Sequence, residues 1–369
     1  SPLEPVHPPA MADKRITLKE VARAAGVATG TVSMVLNDSP LVAATTRAHV
    51  QKVMQDLGYV YDRAAALLRN RRSKIVGVSM CDIVNPYYAD VTAGIQAALE
   101  SLGRVLVLGN CAESVPRQQR FLETLREYNV DGLLLTPAVG TPKAHLQRLL
   151  EWRVPLVQVT RYVSGVETDF VGNDNRLAAR MATEHLLALG HRSIGYIGLN
   201  RKTSTGKDRY AGFCEAMKDA GEELAEDRVV ECPASREDGF RAITALFEKG
   251  VPPTGVVCFN DLLAFGAMLG LRRLGMEPGR ECSVVGLDDV AESALWQPAL
   301  TTVAIGRDQI GQEAGRLLIA RLAEPDRPVE RVVLPPRLVV RASCGAPPAP
   351  PRLGRVNTNR EDHRPPARS

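Results

Sequence analysis

Several polar and aromatic residues of this chain follow apolar runs that have the length of β-strands. These residues are Tyr87, Tyr88, Asn260 and Asp288. In an open parallel sheet the carboxyl ends of the strands lie along one edge, and ligands bind there. We therefore expect these residues to line one binding site for a small molecule.

Two arginines extend this candidate site. Arg209 lies near the start of a helical segment, and Arg161 follows another apolar run. A guanidinium is a fixed cation, and Asp288 or Asp174 would hold that of Arg209 in place. Aromatic rings, a cation and paired acceptors suit a polar ligand such as a sugar or a nucleobase. The alternative is that these residues are structural loop caps.

An enzyme is the first alternative to a binding protein. Thr205-Gly206-Lys207 is similar to part of a phosphate-binding loop, but Asp208 stands where that motif requires Ser or Thr. The sequence also contains neither G-x-S-x-G nor H-E-x-x-H. We therefore expect no enzyme activity and no cofactor.

A solute-binding protein for transport is the second alternative, and it would need a signal peptide. Residues 1–10 are Pro-rich without an apolar stretch, and no apolar run reaches membrane-spanning length. We expect a cytoplasmic protein. The seven cysteines are scattered and never in C-x-x-C spacing. Buried, reduced thiols are therefore expected, with no metal site.

The elements that would position these residues alternate along the chain. Short apolar runs between residues 75 and 287 are separated by helical patterns. Such alternation predicts a doubly wound parallel α/β architecture. The span 75–343 is long enough for two such lobes, and we expect it to bind the effector and to dimerise.

Residues 16–60 carry a different pattern. The apolar residues Leu18, Val21, Ala22 and Ala25 recur with the spacing of one helix face. A second stripe begins at Val32 after the short link 26–28. Short amphipathic helices joined by a tight turn indicate a small all-α helix-turn-helix head.

Charge is unevenly distributed between this head and the body. Residues 11–74 hold eleven Lys or Arg against five Asp or Glu, whereas residues 75–343 carry a net charge of −4. A basic head on an acidic body indicates that the head binds a polyanion such as DNA.

The head resembles that of the LacI/GalR family of regulators. The matching segments are Thr17-Leu18-Lys19-Glu20-Val21-Ala22, Ala25-Gly26-Val27, Thr31-Val32-Ser33, Val35-Leu36-Asn37, Thr46-Arg47 and Leu57-Gly58-Tyr59. Body segments such as Asn85-Pro86-Tyr87-Tyr88 and Arg341-Ala342-Ser343 continue the resemblance. It implies a periplasmic-binding-protein-like body of two interleaved lobes, with chain crossings near 172, 302 and 334.

The resemblance also implies which head residues contact DNA. Base-reading positions of the family correspond to Thr29, Gly30 and Met34. The other DNA-contacting positions correspond to Leu18, Thr31, Ser33, Asn37, Thr46 and Tyr59. Met34 stands where Arg or His is common, so it could contact only a thymine methyl group. Ala28 and Ala43 replace the usual Ser helix caps, at a cost of about 1 kcal/mol each.

Residues 61–74 resemble the hinge of the family. The resemblance implies a short helix that pairs with that of a second chain in the minor groove. Leu68 would then wedge a base step, with Ala65 one turn before it. The alternative is a plain solvated linker.

Together these features predict a sequence-specific DNA-binding transcription regulator. We expect a homodimeric repressor that binds double-stranded operator DNA under the control of a small, sugar-like effector. We also expect residues 1–15 and 344–369 to be disordered, because Pro and Arg dominate the C-terminal segment.

Overall fold

The computed structural model describes residues 16–36, 39–60, 73–100, 102–249 and 252–348. The chain divides into two compact units, Ser1–Ser73 and Lys74–Ser369, which are called the head and the body below. The predicted N-terminal extension, hinge residues 61–72 and residues 349–369 lie outside the described residues.

The head consists of three short helices. They are α1 (Leu18–Ala24), α2 (Thr29–Leu36) and α3 (Ala44–Asp56). A capping box starts α1, because the Thr17 hydroxyl accepts from the Glu20 N–H and the Glu20 carboxylate accepts from the Thr17 N–H. After α1 the chain turns at Gly26, where φ is +64° and glycine avoids the strain of a side chain.

One small apolar core holds these helices together. Val21, Val32 and Val50 are fully buried, and each comes from a different helix. The spacing seen in the sequence therefore corresponds to the packed face of each helix.

The body contains two six-stranded sheets. Its strands are β1 (Ile75–Met80), β2 (Val105–Asn110), β3 (Gly132–Leu135), β4 (Leu156–Val159), β5 (Asp169–Asn173), β6 (Ile194–Leu199), β7 (Val229–Glu231), β8 (Gly255–Cys258), β9 (Ser283–Asp288), β10 (Thr301–Ala304), β11 (Arg331–Leu334) and β12 (Arg337–Val339). Sheet 1 has the order β11-β5-β4-β3-β1-β2, and sheet 2 has the order β12-β10-β9-β8-β6-β7. The strand pairs are parallel apart from β10 with β12. The predicted fold class is confirmed.

Helices cover the two sheets and define lobe 1 around sheet 1 and lobe 2 around sheet 2. They are α4 (Pro86–Glu100), α5 (Val115–Glu127), α6 (Lys143–Glu151), α7 (Asn175–Ala188), α8 (Ser204–Asp219), α9 (Arg236–Glu248), α10 (Asp261–Arg273), α11 (Glu292–Leu295) and α12 (Arg307–Ala323), with a 3₁₀ turn at Glu226–Arg228. None of the described helices combines the length and apolar character needed to cross a membrane.

The chain passes between the lobes three times. It leaves sheet 1 after β5, returns between β10 and α12, and leaves again between β11 and β12. Helix α12 follows a strand of lobe 2 but packs on α4 of lobe 1. The two backbones approach closely, because a Cβ at Gly94 would lie 2.4 Å from the Asp308 carbonyl oxygen. The lobes are therefore interleaved rather than consecutive.

The C-terminal part of the body corrects one expectation. Disorder was predicted from residue 344 onward, but Cys344 and Gly345 are hydrogen-bonded to the body. The Gly345 N–H donates to Ser283 Oγ at 3.0 Å, and its carbonyl oxygen lies 2.9 Å from His191 Nε2. The prediction is wrong for these residues because backbone pairing with buried side chains outweighs their unfavourable composition.

The start of α3 gives a testable prediction, because Ala43 provides no side-chain cap there. Ala43→Ser should add a hydroxyl acceptor for a free N–H group and stabilise α3 by about 1 kcal/mol. Hydrogen exchange of the full chain should then show roughly fivefold slower exchange in the first turn of α3. Ala48→Ser is the control, since Ala48 is exposed in the interior of the same helix. Equal protection from both variants would contradict the missing cap.

Candidate DNA-contacting helix and ligand cleft

Helix α2 exposes one face of the head. Thr29, Gly30 and Met34 are exposed along this face, whereas Val32 and Val35 turn into the core. A Cβ added to Gly30 would meet no atom within 4 Å, so the start of this face is open. Three of the positions predicted to read bases therefore share one accessible surface.

The other predicted DNA-contacting residues divide into two groups. Leu18, Thr31, Ser33, Thr46 and Tyr59 are half-buried in the head. Of these, Leu18 and Tyr59 pack against the apolar core, so they have a structural role as well. Asn37, Ala65 and Leu68 lie outside the described residues.

The two lobes enclose a cavity of about 50 Å³ at the carboxyl ends of their strands, called the inner cavity below. Six of the seven predicted ligand-binding residues line it: Tyr87, Tyr88, Arg161, Arg209, Asn260 and Asp288. Ligand pockets commonly measure about 300–1,000 Å³. A sugar-sized ligand therefore requires the lobes to separate or a neighbouring space to be used.

Arg209 forms the centre of the lobe 2 wall. It is almost fully buried, and its Nε donates to Asn175 Oδ1 at 2.8 Å. Nη1 donates to the Phe259 carbonyl oxygen, and Nη2 donates to Asp288 Oδ1 at 3.2 Å. The guanidinium also lies 4.6 Å from the centre of the Phe259 ring. These contacts fix the cation in one orientation.

Arg161 occupies the corresponding place in lobe 1. Its Nη1 donates to both carboxylate oxygens of Glu113, at 2.8 and 3.1 Å, and lies 3.5 Å from Cys81 Sγ. Glu113 also accepts a hydrogen bond from the Val139 N–H. Positive φ values at Glu113 and Thr160 mark local backbone strain beside this pair. Each lobe thus presents one arginine paired with one carboxylate.

Tyr87 and Tyr88 are buried next to each other in the wall of the inner cavity. Both are at least 95% buried, and their rings pack edge to face with centres 5.0 Å apart. The Tyr87 hydroxyl hydrogen-bonds to Thr160 Oγ1 at 2.8 Å. The two rings therefore form a packed, hydrogen-bonded part of the cavity wall.

A second buried carboxylate, that of Asp261, lies near Asp288. Asp261 begins α10 and accepts hydrogen bonds from the Val290 N–H, Ser293 Oγ and Thr302 Oγ1. Burial raises the pKa of Asp261, and the nearby charge of Asp288 raises it further. Burial also raises the pKa of Asp288, although Arg209 opposes that shift. The loop after β9 is therefore held by acidic groups that titrate above their usual range.

Two residues show the limits of the sequence analysis. The structure places Asp174 outside the inner cavity, where its carboxylate caps α7 by accepting from the Leu177 N–H at 2.9 Å. The neighbouring Asn175, which the sequence analysis missed, holds Arg209 instead. Glu113 was also missed, although its place after the apolar strand β2 was an available signal.

Comparisons with known proteins identify the class. A family described as bacterial regulatory proteins of the lacI family matches residues 17–62, and one described as periplasmic binding proteins and the sugar-binding domain of the LacI family matches residues 73–341. The chain belongs to the LacI family of bacterial regulatory proteins, as the sequence predicted. This family comprises transcription regulators with a DNA-binding head and an effector-binding body.

Three similar proteins illustrate this membership. The HTH-type transcriptional repressor PurR of Pectobacterium carotovorum subsp. carotovorum (strain PC1) is 31% identical, over 89% of this chain and 96% of its own. The maltose regulon regulatory protein MalI of Escherichia coli (strain K12) is 29% identical, over 88% and 98%. The lac repressor dimer bound to operator and the anti-inducer ONPF superimposes with a TM-score of 0.80 at 26% identity, over 90% and 100%. These relatives are regulators rather than enzymes.

The acidic pair gives a prediction for pH. Raised carboxyl pKa values mean that the folded body binds more protons than the unfolded chain, so the free energy of unfolding should fall as pH rises from about 4 to about 7. One such proton corresponds to about 1.4 kcal/mol per pH unit. Urea unfolding at several pH values should show a flatter profile for Asp261→Asn. The exposed Asp227 provides the control Asp227→Asn, which should keep the wild-type slope. An unchanged slope in Asp261→Asn would refute the assignment.

Proposed function

We propose that this protein is a cytoplasmic, homodimeric repressor that binds operator DNA through α2 and releases or tightens its hold when a sugar-like metabolite occupies the inner cavity. The observation that supports this proposal is that one chain combines a helix-turn-helix head, with an exposed face on α2, and a two-lobed body with a polar cleft. A DNA-binding head can function without a ligand-binding body, and a ligand-binding body without such a head. A regulator that a ligand controls needs both in one chain.

The exposed face of α2 is proposed to enter the major groove. There Thr29 and Met34 reach base edges, and the bare backbone at Gly30 allows close approach. Met34 has no hydrogen-bond donor, so it contributes an apolar contact to a thymine methyl group. Leu18, Thr31, Ser33, Asn37, Thr46 and Tyr59 contact the DNA backbone, and Ala65 and Leu68 enter the minor groove.

Two heads are proposed to bind one near-palindromic site. A single short helix reads only a few base pairs, and a two-fold dimer doubles that number on a matching operator. The structural relative is a lac repressor dimer on operator DNA, which supports the same assembly here.

The effector is proposed to act by changing the arrangement of the lobes. A ligand shifts a conformational equilibrium only when it binds one arrangement better than another. The inner cavity provides such a difference, because Arg161 belongs to lobe 1 and Arg209 to lobe 2. A ligand in contact with both arginines, with Asn260 and with Asp288 favours the arrangement in which the lobes meet.

The role of α2 can be tested with Met34. In vitro selection with the full chain should give a near-palindromic site, and Met34→Ala should bind it about tenfold more weakly because an apolar base contact is lost. Binding to random DNA should not change. Leu57→Ala is the matched control, because Leu57 is 37% exposed against 38% for Met34 but lies at the end of α3. Equal losses on selected and random DNA would argue against base reading.

The role of the cleft can be tested with Arg209. A panel of sugars, sugar phosphates and nucleobases is titrated into wild-type protein on its operator, and the compound that changes operator affinity is the effector. Arg209→Ala should retain operator binding and its salt dependence but lose the response by at least about tenfold, because the cation that contacts the ligand is gone. Arg272→Ala, at an exposed position of lobe 2, should respond as wild type. A normal response in Arg209→Ala would show that this arginine is only structural.

A further inference from the structure

A second space adjoins the inner cavity and is called the outer cavity here. It measures about 270 Å³ and lies between the lobes, with Arg161, Tyr162, Lys202, Ser204, Lys207 and Asp208 along its walls. Arg161 lines both cavities. The two cavities therefore adjoin at this side chain.

The inner and outer cavities differ in the charged side chains that line them. The inner cavity is lined by Asp82, Glu113 and Asp288 against Arg161 and Arg209. The outer cavity is lined by Lys202, Lys207 and Arg161, and Asp208 is its one carboxylate among the described residues. Burial raises the pKa of Asp208. Acidic side chains thus predominate in the inner cavity, and basic side chains predominate in the outer cavity.

The two lysines are the amine side chains of the outer cavity wall. Both are exposed, and the charge of Lys207 also acts on the neighbouring Asp208. Ser204 and Lys207 belong to the first turn of α8, a helix of 16 residues. The amino end of a helix carries a partial positive charge that favours anions.

Arg161 provides an independent indication of a ligand. The residue is 93% buried, yet its side-chain hydrogen bonds to described residues come from Nη1 alone, and the buried Nε has none. Buried polar groups are normally paired, so this guanidinium keeps hydrogen-bonding capacity beyond its contacts with Glu113. Glu113 satisfies only part of this cation.

The outer cavity also joins the two lobes directly. The Tyr162 N–H of lobe 1 donates to Ser204 Oγ of lobe 2 at 3.0 Å. A group bound beside this contact touches both lobes at once. Its binding therefore favours the arrangement in which the lobes are closed.

We propose that the effector carries an anionic group, a phosphate ester or a carboxylate, that binds in the outer cavity between Lys202, Lys207 and Arg161. Its uncharged polyol part binds in the inner cavity beside Arg209 and Asp288. This inference rests on the proposed function and adds the chemical class of the effector. A neutral sugar would leave Lys202 and Lys207 without an anionic ligand in the outer cavity.

The test uses inorganic phosphate and acetate as probes on the full chain. Each anion replaces chloride at constant ionic strength, and binding is measured by calorimetry and by thermal unfolding. Lys202→Gln/Lys207→Gln removes the two cavity lysines. The matched control is Lys218→Gln/Lys249→Gln, which removes two exposed charges elsewhere on lobe 2. This control also corrects for anion binding to the basic head, which both double variants leave intact.

Wild type and control should bind the anion, and the cavity variant should bind it about tenfold more weakly. Lysine-dependent binding of phosphate alone supports a phosphate ester, and lysine-dependent binding of acetate supports a carboxylate. If neither anion shows binding that depends on Lys202 and Lys207, the proposal is overturned. The tests of Met34 and Arg209 do not involve these lysines, so they would still report on the proposed function separately.

Discussion

A cation removed from water must be paired, and this requirement organises the body of the protein. Each lobe places one arginine near the carboxyl edge of its sheet and pairs it with a carboxylate from the end of another strand, Arg161 with Glu113 and Arg209 with Asp288. Unpaired, either charge would be costly to bury. Because each pair lies within one lobe, the lobes can approach and separate without breaking it. The cleft between them remains polar and available to a ligand.

Residues near the Arg209–Asp288 pair connect the cleft to the rest of the body. Asp261 ties the loop after β9 to β10 through Val290 and Thr302. The chain passes directly from β10 into α12, which packs on α4 of lobe 1. A change at the cleft is therefore connected through continuous backbone to both lobes. Because the chain crosses between the lobes three times, neither lobe is formed by one continuous segment.

Local sequence determined the head almost completely. The apolar spacing of α1 and α2 and the short link that contains Gly26 act within one or two helical turns, so the sequence alone predicts them. The strands with continuous apolar runs, such as β1 and β8, were predicted for the same reason. Strands β11 and β12 were not, because they are three or four residues long and only partly buried.

The cleft shows what tertiary structure decided. The sequence indicated Arg209 and Asp288 because polar residues after parallel strands meet at one edge. It did not indicate Asn175 as the partner of Arg209, because the two residues lie on different helices and strand order does not bring them together. They meet because Gly212 lets α8 approach α7, where a Cβ would lie 2.0 Å from the Arg176 carbonyl oxygen. Residue type and strand order thus determined which groups reach the cleft, whereas helix packing decided which of them touch.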